Sequence, residues 1–244
     1  MEMVKNALIE RTKLFSQQVD TLKFSCDCYI YNPLDYAWQM HEAYLRRYLT
    51  EPVKTVLLGM NPGPFGMAQN GVPFGEVHAV RDFLHLDMPI GKPLSEHPKR
   101  PVLGMQIQRS EVSGKRLWGL LQDYYKTADA MIGQIGVINY CPLVFIDRKS
   151  TAKNITPDKL PKTEQLALQT ICNSYLLDVI DILNPTYLIG VGLYATQKLE
   201  SVLQNRADFT IGRIIHPSGG NPQANSGWNE KTTAVFRELG IWNS

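Results

Sequence analysis

Four short apolar runs, each rich in β-branched residues and each followed by small or polar residues, constrain the fold of this chain more than any other feature. They lie at residues 53–58, 135–139, 187–191 and 211–215. Segments with apolar residues at helical spacing lie between them, notably at 114–125, 161–183 and 195–205. Because strands that alternate with helices pair in parallel, the pattern predicts an α/β fold. We expect three layers, α/β/α, with a short, mainly parallel four-stranded central sheet.

The remaining segments add helices but no second domain. Residues 1–24 have apolar residues at helical spacing, 26–38 are extended and aromatic, and 40–50 are again helical. No repeat, low-complexity tract or Gly/Ser-rich linker divides the 244 residues. We therefore expect a single domain over residues 1–244, and we expect a monomer.

Charge and hydropathy limit the partners and the cellular location that the sequence predicts. The chain has 25 basic and 23 acidic residues, a formal charge of +2, which is compatible with a polyanionic partner without indicating one. No apolar run approaches the roughly 18 residues that cross a bilayer. The N-terminal residues lack the apolar core and cleavage site of a signal peptide. We expect no membrane partner, and a cytoplasmic protein if the source is bacterial or a nuclear one if it is eukaryotic.

The cysteines leave two possibilities open. They are Cys26, Cys28, Cys141 and Cys172. The first two form C-x-C, which is not the usual C-x-x-C of a zinc or redox site. Reduced cysteines in a cytoplasmic protein are the expectation, and a four-cysteine iron–sulfur cluster is the alternative.

Polar residues follow the predicted strands. Asn61 lies in NPG after the first strand, Asn139 in NYCP at the end of the second, and His216 and Asn221 in HPSGGNP after the fourth. Open α/β sheets bind ligands beyond the carboxyl ends of their strands, so these loops should meet in one crevice. Neutral amides and a histidine suit hydrogen-bond recognition and electrostatic stabilisation rather than nucleophilic attack.

Motifs for other chemistries are weak or missing. Residues 59–66, GMNPGPFG, match neither of the glycine-rich phosphate-binding patterns. Residues 190–195, GVGLYA, do match G-x-G-x-x-A, with Asp208 placed to contact a ribose. A bound dinucleotide and tight packing of small residues both explain that match. The five histidines have no zinc-site spacing and no G-x-S-x-G motif occurs, so we expect no metal and no cofactor.

Several long motifs, in a fixed order, carry a resemblance to a known family. They are YNPLDYAW, GMNPGPFGMAQNGVPFGEV, HPKRPVLG, SEVSGKRLWG, NYCPL and HPS…NPQANSGW. Together they resemble the single-strand-selective monofunctional uracil-DNA glycosylases over residues 29–240. The resemblance implies the fold of the uracil-DNA glycosylase superfamily. It also implies that the crevice holds a base flipped out of DNA.

The resemblance assigns the chemistry to Asn61 and His216. Asn61 would orient the water that attacks C1′ as the glycosidic bond breaks. His216 would donate to O2 of the departing pyrimidine, where negative charge develops. The matched motifs supply no pocket lysine to form a Schiff base, so water is the nucleophile and the enzyme is monofunctional.

Five further residues would hold the base. Asn139 would accept from N3–H and donate to O4 of uracil, and Phe74 would stack on the ring. Gly63 stands where more uracil-restricted relatives carry a bulky ring, which implies room for the substituent of 5-hydroxymethyluracil. The resemblance also places Met60 and Met67 at the base.

The fourth loop departs from the family. Vertebrate members have Pro-Arg where Gly219 and Gly220 stand, and that segment is the wedge that fills the space of the flipped nucleotide. Two glycines have no side chain to insert, so single-stranded DNA is the expected substrate. Arg116 belongs to one of the basic clusters that could meet phosphates. The candidates for DNA contact are Ser218, Gly219, Gly220, Asn221, Lys99, Arg100 and Lys115. Residues 97–101, HPKRP, are expected to form a stiff basic surface loop.

The sequence therefore predicts a monofunctional DNA glycosylase of base excision repair. It would remove uracil and 5-hydroxymethyluracil from DNA and leave an abasic site. Two alternatives stay open, namely removal of deaminated or mismatched purines such as xanthine and hypoxanthine, and a non-catalytic module that binds damaged bases. The SGGN run at 218–221 is also similar to the loop of mismatch-specific relatives, which indicates a divergent bacterial subgroup.

Overall fold

A four-stranded parallel sheet lies at the centre of the molecule. The computed structural model describes residues 2–49 and 52–243, with side chains described from residue 6 onward. The first half of the chain forms α1 (Glu2–Asp20), β1 (Cys28–Tyr31), α2 (Pro33–Tyr36), α3 (Trp38–Tyr48), β2 (Thr55–Gly59), α4 (Met67–Asn70), a π-helical turn (Ala79–Phe83) and α5 (Val112–Tyr125). The second half forms β3 (Ile135–Asn139), β4 (Val144–Asp147), β5 (Asn154–Ile155), α6 (Lys162–Leu183), β6 (Tyr187–Val191), α7 (Leu193–Val202), β7 (Thr210–Ile214), α8 (Pro222–Asn225) and α9 (Trp228–Glu238).

The order of the central strands is β3-β2-β6-β7, and every neighbouring pair is parallel. β2 and β3 are buried along their whole length, as expected for strands of a parallel sheet whose faces are covered by helices. Gly59 at the end of β2 lies opposite Asn139 at the end of β3. The loops that follow both strands therefore leave the sheet at the same edge. The predicted α/β fold class is confirmed.

A second, antiparallel sheet of order β1-β4-β5 was not predicted. Of the stretch at 26–38 that was expected to be extended, only β1 is a strand, and the chain then turns into α2. Asn32 begins that helix, because its side chain accepts from the N–H of Leu34 and Pro33 occupies the first helical position. β4 has four residues, too few for an alternating pattern to separate a strand from a loop.

Most predicted elements match the observed ones within a few residues. The strands at 135–139 and 187–191 are confirmed, and the other two lie at 55–59 and 210–214. The N-terminal helix ends at Asp20 rather than at residue 24, and the helix expected at 40–50 begins at Trp38. Residues 1 and 50 of those two predictions lie outside the described residues. Helix ends depend on local capping contacts, which periodicity does not record.

α6 is the one described helix that is long and apolar enough to cross a bilayer by length and composition. No apolar run of that length was expected from the sequence. In the fold, α6 packs against α1 and α7. Tyr175 of α6 stacks on Phe15 of α1, with ring centroids 3.9 Å apart, and its hydroxyl shares a hydrogen bond of 2.8 Å with Thr12. One face of α6 therefore belongs to the core of the domain.

The cysteines differ from the expectation. Cys26 and Cys28 form a disulfide, so the expectation of four reduced cysteines is wrong for this pair. Their Cα atoms are 5.4 Å apart, a separation that a disulfide can bridge. Cys141 and Cys172 are free and buried. Two free thiols are too few for the four-cysteine iron–sulfur cluster that was the alternative.

The glycines at the end of β6 and directly after it give room to neighbouring side chains rather than to a dinucleotide. A Cβ on Gly190 would overlap the side chain of Thr196 and would lie 2.5 Å from its backbone nitrogen. Gly192 has a φ of +90°, and a Cβ there would lie 3.0 Å from Cβ of His216. Asp208, the proposed ribose contact, pairs with Arg206 instead. Tight packing of α7 and His216 thus explains the GVGLYA match.

We expect Gly190→Ala to destabilise the fold, because the added methyl group would displace backbone atoms of α7. Overpacking of this kind lowers the free energy of unfolding by about 1–3 kcal/mol. Urea unfolding followed by circular dichroism measures the change. Gly119→Ala in α5 is the control, since nothing lies within 4 Å of a Cβ there, and alanine stabilises a helix relative to glycine by about 0.5–1 kcal/mol. Equal unfolding midpoints for the two variants would contradict the packing argument.

Candidate active site

A pocket of about 400 Å³ opens where the loops after β2, β3 and β7 meet. It brings together most of the residues predicted to bind a base or to act on it, which are Met60, Asn61, Gly63, Met67, Phe74, Asn139, His216 and Ser218. Six further lining residues were not predicted from the sequence, and these are Pro64, Gly66, Glu111, Ser113, Asn154 and Thr156. Several of these lie in the segments before α5 and around β5, for which no strand-end signal exists in the sequence.

The last residue of β2 determines how closely two walls of the pocket approach. A Cβ on Gly59 would overlap Oδ1 of Asn139 and would lie 2.6 Å from the Phe74 ring. The two side chains therefore occupy the volume that any other residue at 59 would fill. An amide and an aromatic face become adjacent walls for this reason.

Asn139 presents an unpaired acceptor at the pocket. The residue is buried, and Oδ1 has no hydrogen-bond partner among the described residues. Its Nδ2 contacts the sulfur of Met67 at 3.2 Å, and a thioether is a weak acceptor. A buried polar atom left unpaired costs about 1–3 kcal/mol. The side chain is thus suited to a ligand that offers a donor next to an acceptor.

Phe74 is held in a backbone conformation that side chains rarely adopt, with a φ of +52°. Helix α5 supports it from one side. A Cβ on Gly114 would overlap the carbonyl oxygen of Phe74, and Nε1 of Trp118 donates to the carbonyl of Pro73 at 3.2 Å. The Phe74 ring centroid is 6.1 Å from that of His216. Both rings line the pocket, so a planar group can lie against them.

Asn61 is oriented by the loop after β3. Its Nδ2 donates to the carbonyl of Leu143 at 3.2 Å and to that of Pro62 at 3.4 Å. No described residue donates to Oδ1 of this side chain. The fixed amide can therefore accept a hydrogen bond from a water molecule in the pocket.

His216 is held as a neutral donor. Its Nδ1 is 3.2 Å from the backbone N–H of Ser218, which places the ring proton on Nε2. Burial lowers the pKa of His216 below its usual value, so the ring stays neutral near pH 7. Nδ2 of Asn221 donates to the carbonyl of His216, and Nε1 of Trp228 donates to that of Ile215. Three side-chain and backbone contacts thus fix the strand end that carries the ring.

The loop that was compared with a wedge is attached to α5. Arg116 donates to the carbonyls of Pro217 and Ser218, at 3.0 Å and 3.4 Å. These bonds occupy a guanidinium that the sequence analysis had placed among possible phosphate contacts. Gly219 and Gly220, at the tip of the loop, are exposed.

Two residues expected at the surface have internal partners. Oδ1 of Asn221 accepts from the N–H of Gln223 and caps α8, and its Nδ2 bonds to His216. Both polar atoms of the Asn221 amide are therefore hydrogen-bonded within the loop, although Asn221 was a candidate for DNA contact. His97 was expected in a basic surface loop, but it is buried, with Nδ1 accepting from the N–H of Lys99 at 3.0 Å.

The basic candidates lie in two places. Lys115 is exposed in the first turn of α5. Lys99 donates its Nζ to a loop carbonyl at 2.8 Å, and the Arg100 guanidinium lies 5.0 Å from the centre of the Phe65 ring. Arg109, which sequence analysis did not select, lies 3.9 Å from the same ring. Phe65 follows Pro64 of the pocket wall, so the two arginines lie close to its rim.

The pocket can bind a flat, polar ring and stabilise negative charge on it. Asn139 offers hydrogen bonds to an edge, Phe74 offers a face, and His216 offers a donor. Among the side chains that the structure describes, in residues 6–49 and 52–243, no group of three His, Cys, Asp or Glu could hold a metal ion. Glu111 is the one carboxylate among the described lining residues.

Comparisons with known proteins agree with this architecture. The family model described as the uracil DNA glycosylase superfamily matches residues 47–239. The "Single-strand selective monofunctional uracil DNA glycosylase" of Bos taurus is 41% identical over 213 residues, which cover 87% of this chain and 78% of the relative. The Mus musculus protein of the same name is also 41% identical over 213 residues, covering 87% and 76%. The crystal structure of wild-type Pedobacter heparinus SMUG2 shares the fold, with a TM-score of 0.68, 18% identity, and coverage of 96% of this chain and 99% of that one.

We expect His216 to be neutral near pH 7, with its proton on Nε2. Because burial lowers its pKa in the folded state, the unfolded chain binds more protons in the window just below pH 6.5. The stability that the neutral ring contributes is thus present above that pH and is lost as the pH falls towards the folded pKa. Two-bond proton–nitrogen NMR of histidine-labelled protein reports both the tautomer and the pKa, and His216→Gln identifies the signal. A pKa above 6.5 or a proton on Nδ1 would contradict this arrangement.

Proposed function

The chain belongs to the uracil-DNA glycosylase superfamily, and from that membership we propose that it hydrolyses the N-glycosidic bond of uracil in DNA. The enzyme is a hydrolase without lyase activity, and its product is an abasic site for base excision repair. Its substrates are uracil and 5-substituted uracils such as 5-hydroxymethyluracil, with single strands favoured. The two mammalian relatives, each matched over 87% of this chain, carry names that describe such an activity.

One observation carries the proposal, namely an unpaired acceptor and a neutral donor that line the same pocket. Oδ1 of Asn139 lacks a partner among the described residues, and Nε2–H of His216 is left available by the bond at Nδ1. In uracil, N3–H can donate to Oδ1 of Asn139 and O2 can accept from Nε2–H of His216. O4 of uracil can accept from Nδ2 of Asn139, in place of the Met67 sulfur. Cytosine has no N3–H, so it would bring an acceptor against Oδ1. The Phe74 ring supports the face of the base.

Departure of the base is the step that His216 assists. When the bond between C1′ and N1 breaks, its electron pair leaves with the base and negative charge spreads onto O2. A neutral imidazole donates a hydrogen bond there without transferring its proton. A preorganised donor of this kind typically lowers the barrier by about 3–4 kcal/mol.

Asn61 positions the nucleophile. Its Oδ1 accepts from a water molecule whose oxygen then bonds to C1′, while the water proton passes to solvent and a proton finally returns to the base. An amide is a poor base, so departure of the base precedes most of the attack by water. The described lining of the pocket includes no lysine, which supports water rather than an amine as the nucleophile.

Gly63 supports acceptance of 5-substituted uracils. The nearest atom to a Cβ at this position is Oε1 of Glu111, at 3.6 Å. The space beside the loop is therefore free of any ring that would exclude a substituent at C5. The carbonyl of Gly63 accepts hydrogen bonds from the N–H groups of Gly66 and Ala68, in the turn that leads into α4.

The tip of the His216 loop supports the preference for single strands. Extruding a base from a duplex costs a few kcal/mol, and an inserted side chain offsets part of that cost. The tip glycines have nothing to insert. All the pocket residues come from one chain, so a monomer suffices. The proposed contacts to the DNA backbone are Ser218, Gly219, Gly220 and the main chain of Asn221 in this loop, together with the side chains of Lys99, Arg100 and Lys115.

A single-stranded, end-labelled oligonucleotide with one uracil should break only after alkali, in EDTA and with enzyme in excess. We expect His216→Ala to slow the reaction by about 10²- to 10³-fold, since it removes a preorganised donor. Asn61→Ala should also slow it greatly, and Gln122→Ala, an exposed change on α5, is the control. Breaks at xanthine or hypoxanthine but not at uracil would favour the purine alternative. Binding of uracil-containing strands without any break would contradict the proposal and favour a non-catalytic module.

Gly220→Leu should raise the rate on duplex uracil relative to single-stranded uracil, because it adds an apolar side chain to the loop tip. A Cβ at this position meets only Oγ of Ser218, at 3.6 Å, so the fold accommodates the change. We expect an increase of up to about tenfold, equivalent to ~1.4 kcal/mol of the extrusion cost. Gly220→Ser is the control with a small polar side chain. An unchanged ratio of duplex to single-strand rates in Gly220→Leu would contradict the wedge argument.

A further inference from the structure

Phe65 carries two positively charged side chains at the rim of the pocket. It lies between Pro64 and Gly66, which both line the pocket. The guanidinium carbon of Arg109 lies over the Phe65 ring, 3.9 Å from its centre, and that of Arg100 lies over the same ring at 5.0 Å. The proposed reaction requires neither the ring nor Arg109. Two cations on one aromatic ring, next to a base-binding pocket, therefore indicate a further binding function.

These two arginines differ from the others that lie over aromatic rings. Each of the other described arginines in such a position also pairs with a carboxylate, and they are Arg11, Arg47, Arg148 and Arg206. No carboxylate among the described side chains pairs with Arg100 or Arg109, and Nε of Arg100 is buried without a hydrogen-bond partner there. The positive charge beside Phe65 is thus uncompensated, which favours an anionic ligand.

The guanidinium of Arg109 lies flat on the ring. Carbon atoms in van der Waals contact are about 3.5–4.0 Å apart, so a guanidinium carbon 3.9 Å from the ring centre is in contact with the ring. A guanidinium set upright at that position would bring a nitrogen well inside contact distance. One face of the group therefore covers Phe65. Because Arg109 is exposed, the other face is a planar, charged surface that a nucleobase can stack on.

A DNA strand that places a base in the pocket has to pass this rim. The nucleotides before and after the flipped one are each joined to it by a single phosphate, so their bases lie near the pocket mouth. In a duplex these neighbouring bases stay stacked and paired within the helix. In a single strand they have no fixed partner, and proteins bind such bases with aromatic and arginine side chains. Phe65, Arg100 and Arg109 combine a stacking surface with charge for the phosphates.

We propose that Arg109, supported by Phe65, is a stacking platform for the base next to the flipped uridine in single-stranded DNA, and that Arg100 binds the phosphate between the two nucleotides. This inference rests on the proposed function, because it takes the occupant of the pocket to be a base within a strand. The ligand is an unpaired nucleotide of any sequence, since every base has a flat face. Arg109 contacts no reacting atom, so it is a positioning residue that acts on capture of the strand.

The platform favours single strands for a different reason from the bare loop tip. Gly219 and Gly220 leave the cost of extrusion in a duplex without compensation. A stacking platform instead adds a contact that only an unpaired neighbour can make. The ratio of single-strand to duplex rates therefore depends on Arg109 as well as on the loop tip.

The test measures single-turnover excision from single-stranded oligonucleotides with one uracil. The nucleotide on its 5′ or 3′ side is either normal or a tetrahydrofuran spacer, which keeps the phosphates and removes the base. Rates at enzyme concentrations far below saturation report capture and cleavage together, and rates at saturation report cleavage alone. The same measurements on duplex uracil and at several salt concentrations complete the set.

The variant is Arg109→Lys, which keeps the positive charge and lacks the planar face. Its matched control is Arg47→Lys. Arg47 also lies over a ring, 5.5 Å from the centre of Tyr48, but it pairs with Asp129 at 3.0 Å and does not line the pocket. Both substitutions are at the surface, and thermal unfolding confirms that each variant is folded.

We expect the wild-type enzyme to lose about 5- to 100-fold in the rate below saturation when one of the two neighbours is a spacer, the range for stacking of one base. Arg109→Lys should show the same loss on the normal strand and no further loss with the spacer, because both changes remove one contact. Its rate at saturation, its rate on duplex uracil and its salt dependence should equal those of the wild type, since the charge is kept. Arg47→Lys should match the wild type on every substrate.

Failure of this inference and failure of the proposed function give different results. If the wild-type enzyme excises uracil equally well beside a spacer on either side, the inference is overturned and the function stands. The same holds if Arg109→Lys keeps the wild-type sensitivity to the spacer, since charge alone would then explain the contact, or if it slows duplex excision as much as single-strand excision. If the wild-type enzyme does not excise uracil from the unmodified strand, the proposed function fails and the inference fails with it.

Discussion

The pocket depends on one glycine at the end of a parallel strand. Gly59 pairs with Asn139 across the sheet, and the volume its Cβ would take is filled by Asn139 and the Phe74 ring. α5 then fixes Phe74 from the other side, through the contact at Gly114 and the bond from Trp118. The register of the sheet places Asn139 opposite Gly59, and the absence of a side chain at Gly59 lets Asn139 and the Phe74 ring approach each other closely. Neither the amide nor the ring could reach its place if residue 59 carried a Cβ.

Polar groups around the pocket form two sets that differ in charge. His216 and Asn61 are neutral and are fixed by backbone atoms, which suits groups that must be in place when charge develops on the base. Glu111 is charged and lies beside the two bare glycines of the loop after β2. The groups proposed to act on the departing base are therefore neutral, and the one charged group of the described lining lies beside Gly63 and Gly66.

The sheet and the catalytic positions were accessible from the sequence for different reasons. Strands such as 135–139 have continuous apolar runs, and Asn61 and His216 stand in long motifs that the family resemblance identifies. Periodicity did not reveal the sheet of β1, β4 and β5, since its strands have four, four and two residues. Charge alone did not reveal that Arg116 bonds to the carbonyls of Pro217 and Ser218. Glu111 escaped notice because a carboxylate before a helix is indistinguishable in sequence from an ordinary cap.

The pocket is assembled from loops that follow the second, third and last strands of the chain. His216 comes after β7, and Trp228, in the first turn of α9, bonds to the carbonyl of Ile215 beside it. A nascent chain therefore has no complete base-binding site until residue 228 has left the ribosome and the sheet has closed. A chain that ends before residue 216 lacks the donor to the departing base, and one that ends before residue 228 lacks the indole that fixes the strand end carrying that donor.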